Sequence, residues 1–141
     1  EFRRATWHLD FMWGLDGVAH ENTGNGVKFD AELAVLDDTY LVGKIKAKAH
    51  PFVEYFKFLK QFEDENTVAK YTIPAPAQTF QQMIVPDNIA NTRKFYPTNE
   101  ELIQDIGKAY QDARDAVEML LSSSMMLDAE TCSLTIVHGE P

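Results

Sequence analysis

The stretch PTNEELIQDIGKAYQDARDAVEMLL, residues 97–121, gives the clearest structural signal in the chain. Thr98 and Glu101 have the spacing of a capping box, in which each side chain bonds to the other residue's backbone N–H. Apolar residues then recur at helical spacing: Leu102, Ile106, Tyr110, Ala113, Val117 and Leu120. This pattern predicts one long amphipathic helix that packs its apolar face on a core.

A second helix is predicted upstream, in HPFVEYFKFLKQFEDEN at 50–66. Pro51 suits the first helical turn, because its missing N–H would have no intrahelical partner there. The apolar positions follow at spacings of three and four: Phe52, Tyr55, Phe56, Leu59 and Phe62. The acidic run at 63–65 predicts that this helix ends in solvent.

The segment between the opening residues and this helix has the pattern of β-structure. YLVGKIKAK, at 40–48, alternates apolar and polar side chains, the period of a strand with one wet face. Together with AELAVL at 31–36 it predicts a β-hairpin that turns at 37–39. The glycines and asparagines at 20–30 predict an exposed loop without a regular element.

Further short strands are predicted at 68–73, 125–127 and 134–137, each rich in apolar residues. Pro74 and Pro76 would end the first of them. Strands that alternate with helices favour an α/β fold with a largely parallel sheet. Ligands collect at the carboxyl ends of such strands, so 72–78 is a candidate site loop. Glu1, Asp128 and His138 are expected beside it, where a carboxylate suits the ammonium group of a small substrate.

The opening stretch EFRRATWHLDFMWGLDG, residues 1–17, mixes charged and aromatic residues. Arginine, histidine and aspartate beside two tryptophans are typical of a ligand-site lining. An edge segment that packs its aromatics inward and leaves its charges in water is the other interpretation. No leader pattern precedes the stretch, and a start at Glu1 inside a formed motif predicts a cut or incomplete chain.

Composition limits the class of protein. The chain has 141 residues, 45% of them hydrophobic, which predicts one domain with a real core. Its net charge of −9 and scattered basic residues disfavour nucleic-acid and anionic-membrane partners. No apolar run approaches the ~20 residues of a membrane span. The lone Cys132 cannot form an internal disulfide, so a soluble, cytoplasmic protein is expected.

Motifs for other chemistries are missing from the sequence. Cys132 and His138 have no third ligand at motif distance, and His8-x-Asp10 is a single pair, so no metal site within the chain is predicted. The sequence contains no G-x-S-x-G, no P-loop and no G-x-G-x-x-G after a strand. Nucleophilic hydrolases, NTPases and dinucleotide enzymes therefore have no motif here.

Three ordered segments resemble the cobalamin-independent methionine synthase family, in particular the short single-barrel bacterial relatives of its catalytic domain. They are EFRRATWHLDFMWGLDG at 1–17, HPFVEYFKFLKQFEDENTVAKYTIPAPAQ at 50–78 and YPTNEELIQDIGKAYQDA at 96–113. The resemblance implies a (β/α)8 TIM barrel and an S-methyltransferase of methionine biosynthesis. Such an enzyme uses zinc to activate the thiol of homocysteine and takes the methyl group from a methyltetrahydrofolate.

The resemblance also implies site residues for substrate. Glu1 matches the strand-end glutamate associated with the substrate amino group. Trp7, His8 and Asp10 would belong to a loop above the barrel mouth. Thr72 would lie at the next strand end, beside the folate region, and Asp128 would be a strand-end aspartate.

The zinc ligands of the family lie beyond this chain, and His138 is followed at the second position by Glu140 where the family has cysteine. A barrel needs about 200 residues or more, so residues 1–141 are predicted to be a single segment of about half a barrel with a β-hairpin excursion. Exposed sheet edges then predict a homo-oligomer or only part of a molecule. Because the zinc ligands are absent, the chain alone is expected to be inactive in methyl transfer. A non-catalytic small-molecule-binding or assembly module of an α/β fold is the alternative.

Overall fold

The computed structural model describes residues 6, 8–24, 26–28, 33–35, 37–47 and 49–124. Its elements, in chain order, are α1 (Leu9–Trp13), β1 (Asp16–Glu21), β2 (Gly26–Lys28), β3 (Leu33–Val35), β4 (Asp38–Lys46), α2 (Pro51–Lys60), α3 (Pro76–Ile84), α4 (Pro86–Thr92) and α5 (Asn99–Ser124). None of the helices in these ranges is both long and apolar enough to cross a bilayer.

The strands form two antiparallel pairs. β1 pairs with β4, with Val18 opposite Leu41 and Glu21 opposite Asp38. β2 pairs with β3, with Gly26 opposite Val35. β2 and β3 therefore lie in the sequence between the two partners of the longer pair.

The predicted partial (β/α)8 barrel segment is wrong for the described residues. A barrel needs parallel strands joined by helical crossovers, whereas both sheets in the described ranges are two-stranded and antiparallel. The strand predicted at 68–73 is also absent, and α3, α4 and α5 follow one another without a strand between them. Val68, which that strand would have buried, is 70% exposed, so burial does not favour a strand there.

The predicted pairing of the segments 31–36 and 40–48 in one hairpin is wrong. The segment at 40–48 pairs with β1 rather than with 31–36, and Asp38 and Thr39 lie inside β4 instead of forming a turn. The loop predicted at 20–30 is interrupted by structure, because β1 continues to Glu21 and β2 begins at Gly26. In the observed register, Leu41 and Ile45 enter the core on one face of β4.

The two predicted helices are confirmed, with a shorter second one. α5 begins after Thr98, whose hydroxyl accepts the Glu101 N–H at 3.3 Å, and its predicted apolar face is buried from Leu102 to Ala113. α2 begins at Pro51 and ends at Lys60. Phe62 lies beyond that end and is 64% exposed, so its predicted place in the core is wrong.

The β4 edge that faces away from β1 is covered by side chains. Asn88 Nδ2 donates to the Thr39 carbonyl at 2.6 Å, and Asn91 Nδ2 donates to the Leu41 carbonyl at 2.7 Å. The Ile45 N–H donates to the Tyr96 hydroxyl at 2.7 Å. These three hydrogen bonds hold α4 and the turn after it against β4. They occupy backbone groups that could otherwise pair with a further strand.

Tyr96 also connects β4 to α5. Its hydroxyl donates to Asp105 Oδ2 at 2.8 Å, and its side chain is fully buried. Burial raises the pKa of Tyr96 far above its usual range, and the neighbouring Asp105 carboxylate raises it further, although the hydrogen bond from the Ile45 N–H opposes both. The phenol therefore stays neutral and joins the backbone of β4 to a carboxylate of α5.

Replacing Tyr96 by phenylalanine should lower the free energy of unfolding by about 1–3 kcal/mol, because the buried Ile45 N–H loses its acceptor. Urea denaturation at pH 7.5 measures this change. Tyr40→Phe is the matched control on the same strand, and its free energy of unfolding should stay within about 0.5 kcal/mol of the wild-type value. Equal effects in the two variants would contradict the proposed role of the Tyr96 hydroxyl.

Gly17 permits the close approach of β1 to β4. Its φ is +83°, and the register shifts between Asp16 and Val18. A Cβ at this position would collide with the Lys44 carbonyl oxygen. Gly24 also has a positive φ, +76°, but a Cβ there would meet nothing within 4 Å.

Gly17→Ala and Gly24→Ala separate backbone conformation from close contact. Both variants put a side chain at positive φ, which costs about 1–2 kcal/mol. Only Gly17→Ala also forces the strands apart, so its loss in free energy of unfolding should exceed that of Gly24→Ala by at least about 1 kcal/mol. Urea denaturation measures the free energy of unfolding of both variants. Similar decreases in the two would show that the contact with Lys44 does not destabilise Gly17→Ala.

Candidate functional site: an aromatic cluster around His50

α1 is a single short helical segment held at both ends. Near its start, Asp10 Oδ2 accepts the Thr6 N–H at 2.8 Å. At its end, the Gly14 N–H donates to the Phe11 carbonyl at 3.1 Å. A Cβ on Gly14 would lie 2.7 Å from the His50 ring, so the absence of a side chain lets the imidazole pack against the end of α1.

His50 is the N-cap residue of α2 and is 3% exposed. Its Nδ1 accepts the Phe52 N–H at 3.2 Å, and its Nε2 donates to the Phe11 carbonyl at 2.9 Å. A backbone N–H can only donate and a carbonyl can only accept, so these partners select the neutral tautomer with its proton on Nε2. Burial lowers the pKa of His50 below 6.5, although the bond to Phe11 and the charge of Asp16 act in the opposite direction.

The rings around His50 form what we call the His50 cluster: Phe11, His50, Phe52, Tyr71 and Tyr110. Phe11 stacks on His50 with ring centroids 4.3 Å apart, and it contacts Tyr110 at 4.7 Å. Phe52 meets Tyr71 edge-on at 5.0 Å. The cluster therefore joins α1, the start of α2, the segment before α3, and α5.

Two of the predicted site segments adjoin residues of this cluster in the sequence. His8 and Asp10 flank the start of α1, next to Phe11, and Thr72 follows Tyr71 directly. The expected convergence at strand ends is not observed, because no strand precedes Thr72. Glu1, Trp7 and Asp128 of the predicted set lie outside the described residues, as does His138.

Polar groups adjoin the cluster on the α3 side. The Thr79 and Tyr110 hydroxyls are hydrogen bonded at 2.7 Å in the core. Burial raises the pKa of Tyr110 to about 12, and the Thr79 bond offsets part of the effect. Gln78 Oε1 is buried and has no hydrogen-bond partner within the described ranges, as is also true of Thr6 Oγ1. Such oxygens can accept a hydrogen bond from a ligand.

Sequence analysis missed His50 and a second histidine, His20. His20 stacks on Trp13 with ring centroids 4.0 Å apart, and its Nδ1 lies 2.7 Å from Asp37 Oδ2. Trp13 in turn donates its indole N–H to Thr39 Oγ1 at 2.9 Å. Asp37 orients the imidazole through one ring nitrogen. The pairing of β1 with β4 creates this group, so its spacing in the sequence gave no signal.

The described residues do not fit a zinc site. Across these ranges, no group of three or more histidine, cysteine, aspartate or glutamate side chains is placed to hold a metal ion. Cys132 and His138 are outside the ranges. The zinc that the resemblance implies therefore has no set of donors in this part of the chain, and no step of chemistry is assigned to it here.

Neither a protein-family model nor a solved structure matches the chain. It is similar to two curated proteins of Bacillus subtilis, both described as uncharacterized. YxjH is 31% identical over 134 residues, which is 95% of this chain and 34% of YxjH. YxjG is 32% identical over 117 residues, which is 82% of this chain and 29% of YxjG. The chain thus spans about a third of the length of these relatives.

A double-mutant cycle tests the buried pair beside Gln78. Thr79→Val and Tyr110→Phe each leave one hydroxyl without its partner and should each lower the free energy of unfolding by about 1–3 kcal/mol. The double variant leaves no unpaired hydroxyl, so it should lose clearly less than the sum of the two single losses. Urea denaturation of the four proteins gives the coupling, and strict additivity would contradict the hydrogen bond.

Proposed function

We propose that the chain is part of a cytoplasmic S-methyltransferase of the cobalamin-independent methionine synthase family, and that it contributes to binding of the amino-acid thiol. The reaction transfers a methyl group from a methyltetrahydrofolate to homocysteine. The thiol loses its proton, its sulfur forms a bond to the methyl carbon, and the folate nitrogen that releases the methyl group takes up a proton.

One observation supports this proposal above the others. The three segments that carry the family resemblance are far apart in sequence, and each contributes a ring to the His50 cluster. Phe11 comes from 1–17, His50 and Phe52 come from 50–78, and Tyr110 comes from 96–113. The resemblance therefore falls on residues that pack into one unit, as expected where separate segments together build a binding site.

The oxygens near the cluster suit an amino-acid ammonium group. Asp10 uses Oδ2 to accept the Thr6 N–H, and a carboxylate has capacity for further donors. Gln78 Oε1, in the first turn of α3, is a buried acceptor. An ammonium group provides three donors, and its bond to a carboxylate is charge-assisted. Homocysteine carries this group.

The isolated chain is proposed to bind substrate without methyl transfer. In the family, zinc makes the thiol reactive by lowering its pKa, and the described residues lack a zinc donor set. The chain also spans about a third of the relatives' length, so the folate site and the complete reaction are proposed for a longer protein.

A non-catalytic small-molecule-binding or assembly module is the second candidate. Phe62 and Val68, on either side of the bridge between Asp64 and Thr67, are 64% and 70% exposed. Exposed apolar side chains of this size suit contact with another surface. Pairing between copies of the chain through sheet edges remains a prediction of this candidate.

Homocysteine should raise the melting temperature of the chain, whereas 4-mercaptobutanoate, which lacks only the amino group, should have a much smaller effect. A ligand present at 100 times its Kd stabilises by about 2.7 kcal/mol. Asp10→Asn keeps an acceptor for the Thr6 N–H but removes the charge, so it should weaken the homocysteine response. Glu65→Gln removes an exposed charge elsewhere and serves as the control.

Zinc separates the candidates further. Zinc without homocysteine should leave the melting temperature unchanged, and stabilisation beyond about 1 kcal/mol would contradict the missing donor set. If homocysteine and 4-mercaptobutanoate act equally, or neither acts, recognition of the amino group is wrong and the non-catalytic module is favoured.

A further inference from the structure

We propose that His50 is an acid-released latch between α1 and α2. The neutral imidazole holds the end of α1 against the start of α2, and a second proton on the ring breaks this connection. The proposal concerns the conformation of the chain and does not depend on the proposed function.

Both ring nitrogens are occupied in the neutral state. Nε2 donates to Phe11 at the end of α1, and Nδ1 accepts from Phe52 in the first turn of α2. A second proton must go onto Nδ1, where it would face the Phe52 N–H across 3.2 Å. Two donors then point at each other, and the helix loses its side-chain cap.

Protonation would also put a positive charge at the N-terminus of α2, where a positive charge is unfavourable. His50 lies at the N-terminus of a ten-residue helix, where the backbone dipoles favour an anion and disfavour a cation. Pro51 has no N–H to offer, so Phe52 supplies the first helical donor and His50 accepts it. The same proton therefore removes the cap and places a positive charge at the positive end of α2.

The ring has no room to turn away while α1 stays in place. Phe11 stacks on one face, Phe52 meets it edge-on at 5.0 Å, and Gly14 lies against Cε1 and Nε2. A rotated imidazole would enter the space of these neighbours, and a 180° flip would put a C–H group, not an acceptor, opposite the Phe52 N–H. Relief of the clash between donors therefore requires that α1 and α2 separate at this contact.

The charged groups on the surrounding elements do not neutralise a second proton by contact. Asp16, at the start of β1, acts on the ring through its field. Asp10 on α1 is engaged by the Thr6 N–H, and Glu54 on α2 pairs with Lys57 at 2.6 Å. Tyr110 of α5 reaches the ring only through Phe11 and remains neutral below its pKa of about 12.

The direction of the pH effect follows from these contacts. The pKa of His50 is lower in the folded chain than the unfolded value of 6.5. The folded state therefore binds fewer protons than the unfolded state below that pH. The contribution of His50 to stability is complete above about pH 6.5. It is lost as the pH falls from there through the folded pKa, by up to about tenfold in the folded-to-unfolded ratio per pH unit.

NMR titration of the wild-type chain tests the latch without any substitution. The His50 Cε1 proton should titrate with a midpoint below 6.5, and the protection factor of the Phe52 amide should fall with the same midpoint. The Tyr110 amide, in the middle of α5, should keep a higher protection factor over that range. Titration of His50 at or above 6.5, or unchanged protection at Phe52, would overturn the proposal.

Two variants assign the effect to His50. Asparagine at position 50 can accept the Phe52 N–H as a cap but cannot be protonated. In His50→Asn, the acid-dependent loss of Phe52 protection should disappear, whereas His20→Asn should retain it. Acid sensitivity that survives in His50→Asn, or disappears in His20→Asn, would place the switch elsewhere.

Discussion

The arrangement of the described chain depends on hydrogen-bond partners for the backbone N–H and C=O groups of β4. β1 covers one edge of β4, and the groups on the other edge need partners because that side of the strand is turned toward the helices. Two asparagines of α4 and the phenol of Tyr96 supply them. Three short side-chain contacts thus set the position of α4 and of the turn that precedes α5. The packing of Leu102 and Ile106 follows from that position.

α1 depends on this arrangement more than any other element. A helix of five residues is far below the length at which a helix is stable in water. Its order comes from the burial of Phe11, from the Asp10 contact with the Thr6 N–H and from the His50 bond. One of these interactions depends on the protonation of a buried imidazole, so the attachment of α1 to α2 can respond to pH.

Local patterns predicted α2 and α5 but not α1, α3 or α4, and they gave the wrong strand partners. α5 shows a capping box and an apolar face within its own sequence, so no distant residue was needed to find it. The alternation at 40–48 indicates a strand but does not identify its partner, which is β1. His50 was missed because histidine is not a preferred N-cap residue. The His20 pair with Asp37 was missed because strand pairing, not sequence spacing, brings the two residues together.

Because the described strands do not form a parallel barrel, the residues proposed to bind substrate do not lie together at strand ends. A barrel places its ligand groups at strand ends, but here the described candidate residues lie at the start of α1 and in the segment that leads into α3. Backbone N–H groups at helix starts attract anions, so an ammonium group would need side-chain oxygens at the same place. Asp10, on α1, and Gln78, in the first turn of α3, provide such oxygens. Recognition of an amine in this chain would therefore depend on the packing of α1 against α2, which His50 maintains.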